Sequence, residues 1–158
     1  MVVEATAGLA AAIAGGTLPV RARVRAAAVL TGGTCAVASV AAVTVLRTGQ
    51  SIALHTAQVL PLTGVTMVLD PLGAVFVLVT AVVTIAATIY WLGYASHGLS
   101  SRTASATLPI FVTSMLLVPA AGSVATFLVL WELMALSSLL LVLVDQRQRD
   151  EARSAAQW

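Results

Sequence analysis

Glu132 is the side chain whose type and setting could do chemistry. It is the tenth residue of the twenty-two-residue run Ser123–Val144, SVATFLVLWELMALSSLLLVLV, which is otherwise apolar or carries small hydroxyls. At 1.5 Å per residue its carboxyl sits near the middle of a bilayer, where an acid costs roughly 2.5–3.5 kcal/mol. An intramembrane acid is a candidate carrier of protons, provided that a cation or a water chain offsets its cost. Its helical neighbours at spacings of three and four, Leu128, Val129, Ala135 and Leu136, cannot pair with it. No other acid or base lies inside an apolar run and far from its ends, so the partner is expected outside this chain. The plain alternative is a protonated Glu132 hydrogen-bonded to a neighbouring helix.

Weaker candidates accompany it. Asp70 precedes Pro71 and has the form of a helix N-cap, which is its plain reading; an acid at the membrane surface is the functional one. Ser114, Ser137 and Ser138 suit close helix packing through interhelical hydrogen bonds, with a part in a proton path as the alternative. His55 and His97 fall in loops and are not at metal-ligand spacing. Cys35 is alone within an apolar segment, which excludes a disulfide framework and gives no redox motif. Trp131 projects about 100° from Glu132 and is expected to pack rather than touch the acid. No phosphate loop, nucleophile triad, haem pair or iron–sulfur spacing is present, so the sequence implies no cofactor and no metal.

The elements that hold these residues are membrane spans. Of 158 residues 59% are hydrophobic and only 9% charged, against about 25% charged in soluble domains, and the mean hydropathy is +1.02. The expectation is a single all-α membrane domain over residues 1–158, multi-pass in a cell membrane. Five spans are read: 5–20, which is short and rich in Ala and Gly, then 26–46, 71–92, 103–121 and 123–144, with a polar tail over 145–158 that is a candidate cytoplasmic helix. The first is read as a span rather than a secretory signal because its arginines follow the apolar core. Residues 47–68 alternate, carry β-branched side chains and Pro61, and read as a short β-hairpin or surface loop. Pro109 and Pro119 are each placed within a turn of a helix end. Tyr90, Trp91 and Tyr94 form an interfacial aromatic cluster.

All eight basic residues are arginine and there is no lysine. With the N-terminus outside and five crossings, seven arginines fall inside and only Arg47 outside, which predicts an N-out, C-in orientation. Their position at span ends, not in an aromatic-laced patch, excludes nucleic acid as a partner; the lipid bilayer is the expected one.

The residues Leu69-Asp70-Pro71-Leu72-Gly73, Tyr94, Thr113-Ser114-Met115 and Phe127–Leu141, FLVLWELMALSSLLL, resemble the N-terminal part of the antiporter-like proton-translocating membrane subunits. These occur in respiratory complex I, in multisubunit cation/proton antiporters and in formate-hydrogenlyase-type hydrogenases. Trp131-Glu132-Leu133-Met134 followed by Ser137-Ser138 is closer to the hydrogenase branch. The resemblance covers about Leu69 to Val144. It implies a subunit of roughly fourteen helices with an outside N-terminus, partners among other membrane subunits of a respiratory or hydrogenase complex, and a fifth-helix Glu, matched by Glu132, paired with a lysine on a broken seventh helix. This chain departs by having no lysine and by stopping where a sixth helix would start. The expectation is therefore a partial reading frame of such a subunit, or a short paralogue that adds helices to an assembly.

Overall fold

A computed structural model describes residues 20–56, 64–95 and 102–155. The expected span 5–20 lies outside them, apart from Val20. Four long helices and one small sheet make up the described chain, in the order α1 (Val20–Thr48), β1 (Ile52–Thr56), β2 (Val65–Leu69), α2 (Pro71–Ala95), α3 (Arg102–Leu117) and α4 (Val124–Ala155), with a single 3-10 turn, Val118–Ala120, between the last two helices. Each helix, α3 together with its turn, contains a stretch long and apolar enough to cross a membrane: Ala22–Thr48, Pro71–Gly93, Thr103–Ala120 and Val124–Val144. The chain is thus a multi-pass membrane protein.

Small residues at helical spacing bring α1 and α2 together. Besides Arg23, the buried positions of α1 are Val24, Ala27, Ala28, Thr31, Cys35, Ala42 and Val45, which share one helical face, as do Ala74, Val77, Ala81, Thr84 and Thr88 of α2. With side chains this short the two backbones approach closely, which is how helices gain dispersion energy where lipid removes the hydrophobic drive. Cys35, Ala42 and Val45 share one core cluster with Ala74, Val77, Ala81 and with Val112 and Leu116 of α3. Helix α3 lies centrally, packed on α1, α2 and α4. Consistent with that place it is buried on more than one side, at Ser105, Thr107, Val112, Ser114 and Leu116.

Strands β1 and β2 pair antiparallel with Ile52 opposite Leu69 and Thr56 opposite Val65, which turns the expected hairpin into an observed one. Helix α1 ends at Gly49, whose positive φ of 67° lets its N–H reach the Val45 carbonyl at 2.8 Å. The hairpin then binds the start of α4 directly. Met67 bridges Ala121, the Gly122 N–H donates to the Thr66 carbonyl at 2.8 Å, and the Thr66 N–H donates to Thr126 Oγ1 at 3.1 Å.

Several boundaries differ from the sequence expectation. Helix α1 starts at Val20 rather than 26 and takes in the three arginines, because arginine is a good helix former and hydropathy marks the membrane edge, not the helix end. For the same reason α2 continues to Ala95, and the polar stretch after Val144 continues α4 to Ala155. Pro109 is interior to α3 instead of terminal. A proline there has no amide to donate along the helix, a loss that neighbouring groups in a bundle can offset. His55 is on strand β1 rather than in a loop, facing Thr66 in the register; His97 lies outside the described residues.

Candidate functional site

Helix α4 begins at a built cap. The Thr126 N–H donates to Ser123 Oγ at 3.2 Å, and the two hydroxyls lie 2.8 Å apart. Thr126, 2% exposed, therefore serves α4's own first turn and the hairpin's Thr66 at once. From that anchor the packing stripe runs through Thr126, Leu130 and Ser137, all buried, and α3 is the helix it chiefly meets.

At about 100° per residue Glu132 lies nearly opposite this stripe. It is exposed, on a face made by Leu128, Leu136, Leu139 and Leu143, each at least half exposed. Its Cα is eight residues into the apolar stretch Val124–Val144, about 12 Å from one end and 18 Å from the other. Its side chain takes part in no hydrogen bond or ion pair among the described residues. An acid so placed can exchange a proton only with a group that comes to this face from beyond the four helices. Trp131 is half exposed, and its ring packs on Phe127 one turn earlier, with centroids 5.6 Å apart and planes tilted by 35°.

The other candidates are not gathered around Glu132. Asp70 caps α2: its Oδ1 accepts from the Gly73 N–H at 2.6 Å, and its carbonyl accepts from the Ala74 N–H at 2.8 Å. Ser114 is 1% exposed on central α3, and its hydroxyl donates to the Ile110 carbonyl at 2.8 Å. Ser137 donates to Leu133 and Met134 carbonyls at 2.7 and 3.0 Å, and Ser138 to the Ala135 carbonyl at 2.8 Å. The expected interhelical hydrogen bonds of these serines are thus replaced by bonds within their own helices. A hydroxyl three or four residues after a carbonyl finds it without any neighbour, which leaves burial of a small side chain as what Ser114 and Ser137 bring to packing. No group of three or more metal-ligating side chains occurs among the described residues.

Thr126 is the functional position that the sequence reading missed. The signal was present as Ser123-Val124-Ala125-Thr126, a hydroxyl at the cap and another three residues on. Its second bond, to a residue sixty positions earlier, had no local signature.

Over 105 residues the chain is 47% identical to "Uncharacterized protein Rv0083" of Mycobacterium tuberculosis strain ATCC 25618 / H37Rv. It is equally similar to "Uncharacterized protein MT0090" of strain CDC 1551 / Oshkosh. The match takes in 66% of this chain but 16% of each relative, so the chain corresponds to a small part of the length of those proteins. No family model and no solved structure matches.

Proposed function

We propose that the chain is the N-terminal part of a proton-translocating, antiporter-like subunit of a membrane-bound hydrogenase or an NADH-quinone-oxidoreductase-type complex, in which Glu132 is the intramembrane acid of the proton path. The observation that carries this reading is the placement of Glu132 at mid-span on the leucine face of α4 that points away from the rest of the described bundle. A carboxyl that only stabilised this bundle would turn inward. One that works with a cation on a further helix must turn outward, and an acid left facing lipid is too costly to keep without such a use. Length supports the reading, because the relatives extend far beyond the matched part and have room for the helix that would meet this face. The arginine distribution supports an N-out, C-in orientation in a cell membrane.

A second reading is a structural or assembly subunit of such a complex that moves no protons. It is favoured by the local roles of Asp70, Ser114, Ser137 and Ser138, all of whose polar side chains bond within their own cap or helix. Replacing Glu132 by Gln in the intact complex separates the two. Loss of proton pumping with normal assembly supports the proton path; unchanged pumping supports the structural role and refutes the first reading.

A further inference from the structure

Helix α4 is the least enclosed of the four spans. Among its described side chains only Thr126, Leu130 and Ser137 are buried, and Ser137 spends its hydroxyl on carbonyls of its own helix. Around the rest of the circumference Phe127, Val142, Leu128, Leu136 and Leu133 take successive bearings over about 240°, all of them exposed. Because lipid tails are as apolar as leucine, a surface this uniform favours no one rotation of the helix about its axis. Direction is supplied at the first turn. There the Thr66 N–H donates to Thr126 Oγ1 at 3.1 Å, the Gly122 N–H donates to the Thr66 carbonyl at 2.8 Å, and a Cβ on Gly122 would lie 2.7 Å from Val68 Cγ2. Strand β2 runs through Asp70 into α2, which packs along α1, so α4 is oriented against the paired first two helices.

We infer that the hairpin is a rotational clamp on α4 and that Thr126 is thereby a positioning residue for Glu132, an inference that rests on the reading of Glu132 as the acid of the proton path. The lever is short and stiff. Glu132 follows Thr126 by six residues of unbroken helix, about 9 Å along the axis. With Thr126 Oγ1 on an arm of about 4 Å, a 30° turn of α4 moves it about 2 Å, enough to take the Thr66 bond out of reach. The same turn carries the Glu132 carboxyl, on an arm of about 6 Å, through about 3 Å, which is enough to part it from any proton donor or acceptor. The hydroxyl at the membrane surface thus fixes the bearing of the carboxyl at mid-span, although the two side chains point to nearly opposite sides of the helix.

The test is made in the intact complex with nitroxide labels at Val40→Cys of α1 and Leu136→Cys of α4, both exposed positions, in a Cys35→Ala background. The distance between the labels reads the rotation of α4 independently of proton transfer. Thr126→Val keeps the shape of the side chain and loses the acceptor. It is expected to shift or broaden that distance by about 3 Å, the arc of a 30° turn, to shift the Glu132 carboxyl C=O band, and to lower proton pumping on the order of ten-fold or more. Thr126→Ser restores all three, and Thr126→Ala gives the same reading as the Val variant if the latter does not assemble. A native distance in an assembled Thr126→Val complex overturns the clamp, even where its thermal stability is reduced. A distance that moves while the band and the pumping stay native overturns the positioning role of Thr126. Failure of the proton path itself is read separately, as unchanged pumping in Glu132→Gln.

Discussion

Gly73→Ala is expected to disrupt the junction at which the hairpin, α2 and α4 meet. A Cβ on Gly73 would lie 2.6 Å from the Pro119 carbonyl oxygen and 2.9 Å from Asp70 Oδ1, where ordinary contact begins at 3.4 Å. The first clash is with backbone, so about 0.8 Å of movement falls on the 3-10 turn that joins α3 to α4. The second displaces the carboxylate that caps α2. Overpacking of this kind costs about 1–3 kcal/mol and a weakened cap up to about 1 kcal/mol more, for a total of about 1–4 kcal/mol. Gly33→Ala is the matched control. Gly33 is exposed in mid-α1 and a Cβ there meets nothing within 4 Å, so the same change gains about 0.5–1 kcal/mol from helix propensity. Thermal unfolding of the two variants in mild detergent should move in opposite directions, with Gly73→Ala lower by roughly 2–16 °C at about 2–4 °C per kcal/mol. A Gly73→Ala chain as stable as Gly33→Ala would refute the close approach of α2 to the Pro119 turn.

Other substitutions test the remaining contacts. Thr126→Val removes the acceptor for the Thr66 N–H and should cost about 1–3 kcal/mol with faster amide exchange at Thr66, while Thr126→Ser retains most of the stability. Asp70→Ala should lose about 0.5–2 kcal/mol and Asp70→Asn much less, with proton pumping unchanged in both; a pumping defect in a stable Asp70→Asn complex would make Asp70 more than a cap. Ser137→Ala, which deletes only bonds within α4, should alter stability by under about 1 kcal/mol. Ser114→Leu, at a position 1% exposed, should instead destabilise by about 1–3 kcal/mol in the same unfolding assay.

What could be read from the sequence followed the range of the interactions. The start of α2 was legible because Asp70-Pro71 is a local signal, and the cap bond is formed by the neighbouring Gly73. The hairpin was legible from alternation and β-branching, although its register depends on pairing across residues 57–63. The start of α1 was misplaced because polarity stops at the membrane surface while helical hydrogen bonding does not, whereas the tail after Val144, readable as helical, continues α4 to Ala155. For Glu132 the sequence contained depth but not direction. Which side of α4 faces α3 depends on burial of Thr126, Leu130 and Ser137, and that emerges only when α3 is packed beside them. The same limit applies to the serines: their positions suggested contacts between helices, and the nearest carbonyls were one turn back on their own.

The proposed proton path requires that Glu132 take up and release a proton during turnover. Infrared difference spectra of the intact complex, recorded with and without electron donor, test this most directly. A proton-carrying Glu132 gives a carboxyl C=O band that changes on turnover, shifts in Glu132→Asp and is missing in Glu132→Gln, with proton pumping lost in the same Gln variant. Identical difference spectra in the native and Glu132→Gln complexes would contradict it.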